Sequence, residues 1–145
     1  DEAFQHPAKF AKGLIYWIVR MGIQRGWWQA GDLIVDPFAG VGLGGLACAS
    51  YGLGWLGVEL EPRFVALAEQ NFAKHEKMWR LLNLPVPRIV QGDSRRLAEI
   101  VAGLPVAGAV TSPPYRGLRP DGGEHPSGCC VVVFCGRPAW RGELG

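Results

Sequence analysis

The chain has no apolar run near the ~20 residues needed to span a bilayer, which excludes a transmembrane helix. Its first residues, Asp1-Glu2-Ala3-Phe4-Gln5-His6, hold neither the basic nor the apolar stretch of a secretory signal. Both absences predict a cytoplasmic protein that does not engage the membrane. Charge of one sign is also scarce. Fifteen Lys and Arg against thirteen Asp and Glu leave +2, too little to argue for nucleic acid by electrostatics alone. Cysteine is sparse at four: Cys129, Cys130 and Cys135 flank a valine run without C-x-x-C spacing, so no metal site is predicted. Cys48 falls within a predicted helix as a small core residue. There are no repeats. What the chain does have is 48% hydrophobic and 19% charged residues over 145 positions, enough for one globular domain with a substantial core.

Glycine is abundant, and its densest use is Asp36-Pro37-Phe38-Ala39-Gly40-Val41-Gly42-Leu43-Gly44-Gly45. Leu33-Ile34-Val35 leads into this stretch and Leu46-Ala47-Cys48-Ala49 leads out, which predicts a buried strand, a tight turn and a helix start. Such a turn brings backbone N–H groups close to a ligand. Gly40, Gly42 and Gly45 satisfy the dinucleotide spacing G-x-G-x-x-G, with Glu59 nineteen residues after Gly40. A carboxylate at Asp36, however, repels a pyrophosphate and attracts a cation. S-adenosylmethionine carries a sulfonium and an ammonium and suits that charge. The loop alone leaves NAD and S-adenosylmethionine level.

Along the chain, Phe10, Leu14, Trp17, Ile18 and Met21 recur at helical spacing, predicting an amphipathic helix over residues 8–21. Gly26-Trp27-Trp28 follows in a connection, where the tryptophans are expected to pack. A helix from Leu43 to Tyr51 ends at Gly52 and Gly54, and Trp55-Leu56-Gly57-Val58-Glu59 forms a second strand. Pro62 opens a further helix whose apolar stripe includes Phe64, Val65, Leu67, Ala68, Phe72, His75 and Trp79. Arg88-Ile89-Val90 is a third strand, followed by Gly92-Asp93-Ser94, with Ser94 expected to cap a helix over residues 95–101. Val106 to Val110 is a fourth strand, ending in Thr111-Ser112-Pro113-Pro114-Tyr115.

This alternation predicts an α/β, Rossmann-like fold with a mostly parallel sheet, whose ligands bind outside the carboxyl ends of the strands. Asp36, Glu59, Asp93 and Ser112 close the four predicted strands and describe one site. A carboxylate such as Glu59 matches a ribose diol, with Glu61 second to it, and Asp93 suits the exocyclic amine of an adenine. In Ser112-Pro113-Pro114-Tyr115 the prolines fix φ and supply no N–H, so the segment presents acceptors rigidly. The Ser112 oxygen and the Pro113 carbonyl match the two protons of an –NH₂ group, and Tyr115 offers a stacking face. Two accepted protons draw the nitrogen lone pair out of ring conjugation and free it for an electrophile.

On these residues the chain resembles the exocyclic-amino DNA methyltransferases, which methylate cytosine at N4 or adenine at N6. Asp36-Pro37-Phe38-Ala39-Gly40-Val41-Gly42 resembles their cofactor loop, and Gly57-Val58-Glu59-Leu60-Glu61-Pro62 their ribose-binding segment. Gly92-Asp93-Ser94 resembles the adenine-binding turn, and Ser112-Pro113-Pro114-Tyr115 the catalytic motif. His6-Pro7-Ala8-Lys9-Phe10 is similar to the segment that holds the cofactor's amino-acid end, which brings in Lys9. The resemblance covers residues 6 to 115. It implies S-adenosylmethionine as cofactor, duplex DNA with a flipped target base as partner, and a restriction-modification setting. Serine at the first tetrad position leans toward cytosine N4.

Residues 1–115 then hold the cofactor and catalytic parts, and residues 116–145 a Gly/Pro-rich tail with seven glycines and three prolines. Cys129-Cys130-Val131-Val132-Val133-Phe134-Cys135 supplies one more strand at most. The tail therefore reads as truncated or aberrant, which leaves the fourth strand near an edge, open to association. A chain so ended is expected to fold marginally and not to methylate DNA by itself. An RNA or protein methyltransferase, or a cofactor-binding fragment without catalysis, remain the other readings.

Overall fold

The computed structural model describes residues 12–112 and 132–136. The order of elements is α1 (Lys12–Gln24), β1 (Leu33–Asp36), α2 (Leu43–Ser50), β2 (Gly54–Glu59), α3 (Pro62–Leu81), β3 (Arg88–Gln91), a 3₁₀ turn (Ser94–Arg96), α4 (Leu97–Ile100), β4 (Val106–Thr111) and β5 (Val132–Cys135). The strands form one sheet in the order β3-β2-β1-β4-β5. β1 to β4 are mutually parallel, and β5 pairs antiparallel with β4. The expected α/β, Rossmann-like architecture is therefore present.

Local sequence explains the strands. Leu33-Ile34-Val35 and Trp55-Leu56-Gly57-Val58 are almost wholly buried, as strands covered on both faces must be. α3 buries Phe64, Ala68, Phe72 and Trp79. His75 is exposed on its flank, its ring 5.6 Å from that of Trp79. Cys48 is buried in α2, as expected, and burial pushes its thiol pKa up.

Two expectations are corrected. The buried face of α1 is Ile15, Ile18, Val19 and Gly22, whereas Trp17 is 58% exposed. Trp28 sets this rotation. Its ring fills the space beside Gly22, where a Cβ would lie 2.3 Å away, and its indole edge abuts Gly108 of β4. The packing role expected for Trp28 holds, at 1% exposure. Second, Asp93 and not Ser94 caps the turn after β3: Asp93 is extended and its side chain accepts from the Arg95 N–H, at 2.9 Å. A carboxylate one position earlier reaches that donor and leaves Ser94 inside the turn. The one further strand expected of the valine run is present: β5 pairs along Gly108 to Thr111, so among the described residues β4 lies next to the outermost strand.

Candidate functional site

The strand order places β1 between β2 and β4. From β1 the chain winds outward through β2 and β3, then crosses back to lay β4 on the opposite side of β1. The crevice between the carboxyl ends of β1 and β4 is thus the topological switch point, where open α/β sheets bind ligands. Asp36 ends β1 and Thr111 ends β4 at this crevice.

Asp36 is 1% exposed. Its Oδ1 accepts from the Phe38 N–H at 3.0 Å and from the Thr111 hydroxyl at 2.8 Å. Desolvation dominates over these two donors, and nearby Glu59 adds repulsion, so the Asp36 pKa is pushed up from 3.8 to about 6. A buried carboxylate of this kind is stabilised by a cation brought beside it.

The loop after Asp36 is held from both sides. Ala39 is buried and donates its N–H to the Val58 carbonyl at 3.0 Å, and Asn71 of α3 donates to the Val41 carbonyl at 3.0 Å. Pro37 is half-buried, and Phe38 is 37% exposed at the rim. Gly42 precedes α2 in the left-handed region, φ 79°, with Phe72 and Ala68 packed where a side chain would stand. Gly40 donates its N–H to Glu59 Oε2 at 2.8 Å, while Oε1 of the same carboxylate accepts from the Glu61 N–H at 2.9 Å. The nineteen-residue separation seen in the sequence is thus a direct contact. A carboxylate has about four acceptor sites, so two backbone donors leave Glu59 able to accept hydroxyls as well.

Asp93 stands two residues beyond the end of β3, not on it, and its carboxylate is paired with Arg95 at 2.5 Å. That guanidinium holds its carboxyl well below the usual range, at about 2. Ser94 lies in the 3₁₀ turn. Ser112 follows the last residue of β4 and is half-buried. Lys9, Pro113, Pro114 and Tyr115 lie outside the described residues. Sequence reasoning missed Thr111. Its available signal was position: a hydroxyl closing an otherwise apolar strand, immediately before the proline tetrad. Among the described residues no group of three or more His, Cys, Asp or Glu could hold a metal ion, and no helix is long and apolar enough to cross a membrane.

Comparison with known proteins bears on the family. Among curated proteins no sequence matches the chain. Among solved structures it is similar to an RNA methyltransferase from Salinibacter ruber in complex with S-adenosyl-L-homocysteine, at 14% identity and a TM-score of 0.50, over 87% of this chain and 90% of that one. YjhP from E. coli matches at 15% identity and a TM-score of 0.53, over 82% of this chain and 56% of that one. YcgJ from Bacillus subtilis matches at 24% identity and a TM-score of 0.38, over 52% of this chain. The chain spans 29% of the length of YcgJ and 56% of YjhP. At these identities YjhP and the Salinibacter protein support the fold alone. The family evidence comes from the sequence: residues 1–70, which hold the glycine loop and the Glu59 segment, match the model of the DNA methylase family. Over that stretch, a little under half of its length, the chain is similar to the N6/N4 DNA methylases.

Proposed function

We propose that the chain carries the cofactor site and catalytic tetrad of an enzyme that transfers a methyl group from S-adenosylmethionine to the exocyclic amine of a DNA base, cytosine N4 ahead of adenine N6. The observation that carries this reading is the buried Asp36 carboxylate, joined by a 2.8 Å hydrogen bond to the strand that leads into Ser112-Pro113-Pro114-Tyr115. The residues fit the cofactor. Asp36 offers negative charge where a cation relieves its burial, and Glu59 offers acceptors for a ribose diol. Pro37, Phe38, Ala39, Gly40 and Gly42 shape the loop around it, and Asp93, Ser94 and Lys9 complete the set. S-adenosylmethionine supplies an electrophilic methyl group.

The chain's own residues hold the base. Ser112 and the Pro113 carbonyl accept hydrogen bonds from the two N–H groups of the target amine and turn its lone pair toward the cofactor side. Pro114 keeps the segment rigid, and Tyr115 stacks on the flipped ring. In this reading residues 1–115 bear the site, and Val132–Cys135 of the remaining residues add β5 to the same sheet.

Titration calorimetry tests the cofactor. S-adenosylmethionine is expected to bind in the low-micromolar to millimolar range, about −8 to −4 kcal/mol. NAD bound with S-adenosylmethionine ignored overturns the reading. Glu59→Ala should weaken the cofactor by roughly 1–3 kcal/mol, because hydroxyl groups lose buried acceptors. An unchanged dissociation constant would remove Glu59 from the site.

A separate assay tests the chemistry. In the enzyme whose site this chain carries, as distinct from this chain alone, labelled methyl is expected on duplex DNA and absent from RNA and protein; label on either of those instead reassigns the substrate. Ser112→Ala and Tyr115→Ala should depress transfer while cofactor affinity stays within about a factor of ten, ~1.4 kcal/mol. Transfer at the parent rate by both variants would reduce the tetrad to a turn.

A further inference from the structure

Thr111 closes β4 one residue before Ser112, and its side chain is 7% exposed. Its hydroxyl reaches across the switch point to Asp36, 75 residues earlier in sequence, at 2.8 Å. This side-chain bond joins the end of the cofactor strand to the end of the tetrad strand. The backbone register between these strands is irregular: Leu33 pairs with Val106 but Ile34 with Gly108. Beyond the shift Ile34 pairs with Gly108 and Val35 with Ala109, so Thr111 reaches one residue past the position opposite Asp36 and its hydroxyl adds a second tie between the strand ends.

We propose that Thr111 is a positioning residue, whose hydroxyl ties Asp36 to the start of the proline tetrad so that the cofactor carboxylate and the base-holding segment keep one fixed separation. This rests on the methyltransferase reading of the site. In-line transfer needs its reacting atoms held within a few tenths of an ångström, and a 1 Å misplacement costs about a hundredfold. A single buried bond to a carboxylate, among the stronger hydrogen bonds a protein makes, is suited to that task. The same bond favours the ionised form of Asp36, opposing its burial. The other groups that face Asp36 are Glu59 from β2, whose charge opposes ionisation, the Phe38 N–H, which favours it, and the buried Cys48 thiol of α2.

The test uses Thr111→Val, which keeps the β-branched shape and loses the hydroxyl, and Thr111→Ser, which keeps the hydroxyl. Carbon-13 NMR of aspartate-labelled protein without cofactor should show Asp36 titrating at higher pH in Thr111→Val and returning toward the parent midpoint in Thr111→Ser. Cofactor affinity at pH 7 should fall about tenfold in the valine variant and recover in the serine variant. Asp36 titrating identically in all three proteins would sink the proposal. A parent that binds no S-adenosylmethionine, yet whose Asp36 midpoint still moves in Thr111→Val, overturns the cofactor reading and leaves the tie between the strands standing. If the valine variant does not fold, the serine variant decides: its midpoint stays near the parent if the hydroxyl is what matters, and an Asp36 midpoint displaced upward in Thr111→Ser counts against it.

Discussion

Asp36→Asn is expected to make the protein more stable at pH 7.5, by about 1–3 kcal/mol, while weakening S-adenosylmethionine binding at least tenfold. The folded-state pKa of Asp36 is raised, from 3.8 to about 6. The folded protein therefore holds the proton more tightly than the unfolded chain does. Below the unfolded pKa both states are protonated and the group contributes nothing. Between 3.8 and about 6 stability falls as pH rises, and above about 6 the full penalty is present. Two units of pKa correspond to roughly 3 kcal/mol. Asparagine removes the charge but keeps an oxygen for the Phe38 N–H and the Thr111 hydroxyl. Its new –NH₂ group needs a buried acceptor, and the cost of leaving one proton unpaired offsets part of the gain. Urea unfolding at pH 5 and pH 7.5 measures this. The parent should lose stability between those values, and the variant should lose less. A variant no more stable than the parent at pH 7.5 would show that Asp36 is not penalised by its burial. A residue kept at such a cost is what a ligand site looks like, since function and stability conflict there.

Gly42→Ala is expected to destabilise the fold by about 2–5 kcal/mol, a large part of the 5–15 kcal/mol typical of a domain. Two effects add. The residue sits at φ 79°, ψ 23°, where a side chain costs about 1–2 kcal/mol. A Cβ there would also lie 2.6 Å from the Phe72 ring and 3.0 Å from the Ala68 Cβ, overpacking worth about 1–3 kcal/mol. Phe72 is buried against Trp55, with ring centroids 5.8 Å apart, and cannot withdraw freely. Gly103→Ala is the internal control, because Gly103 has a similar φ of 76° but nothing within 4 Å of its absent Cβ. It should cost about 1–2 kcal/mol. Equal denaturation midpoints for the two variants would mean that α3 yields at Phe72 and that the loop is not clamped as described.

The backbone plan of the molecule was legible in the sequence. Leu33-Ile34-Val35 and Trp55-Leu56-Gly57-Val58 are apolar runs bounded by polar strand ends, and Gly52 and Pro62 punctuate the helices beside them. Those signals are local, so a chain read residue by residue reveals them. The pairing of Gly40 with Glu59 was legible as a spacing, because one strand–helix–strand unit has nearly fixed length. The resemblance to the DNA methylases was also written locally, in short motifs, and residues 1–70 match that family.

What tertiary structure decided are contacts between residues far apart. The face that α1 buries depended on Trp28 entering beside Gly22 and Gly108, and helical spacing alone favoured Trp17 instead. Whether Asp93 or Ser94 capped the turn depended on backbone angles that both residues tolerate, and geometry favoured the carboxylate, which Arg95 then engages. The largest decision was the protonation of Asp36. From sequence it is a strand-end aspartate of ordinary acidity. In the fold it is 1% exposed, bound to a threonine 75 residues away and titrating near pH 6. Desolvation is a property of everything packed around a group, and no window of sequence contains it.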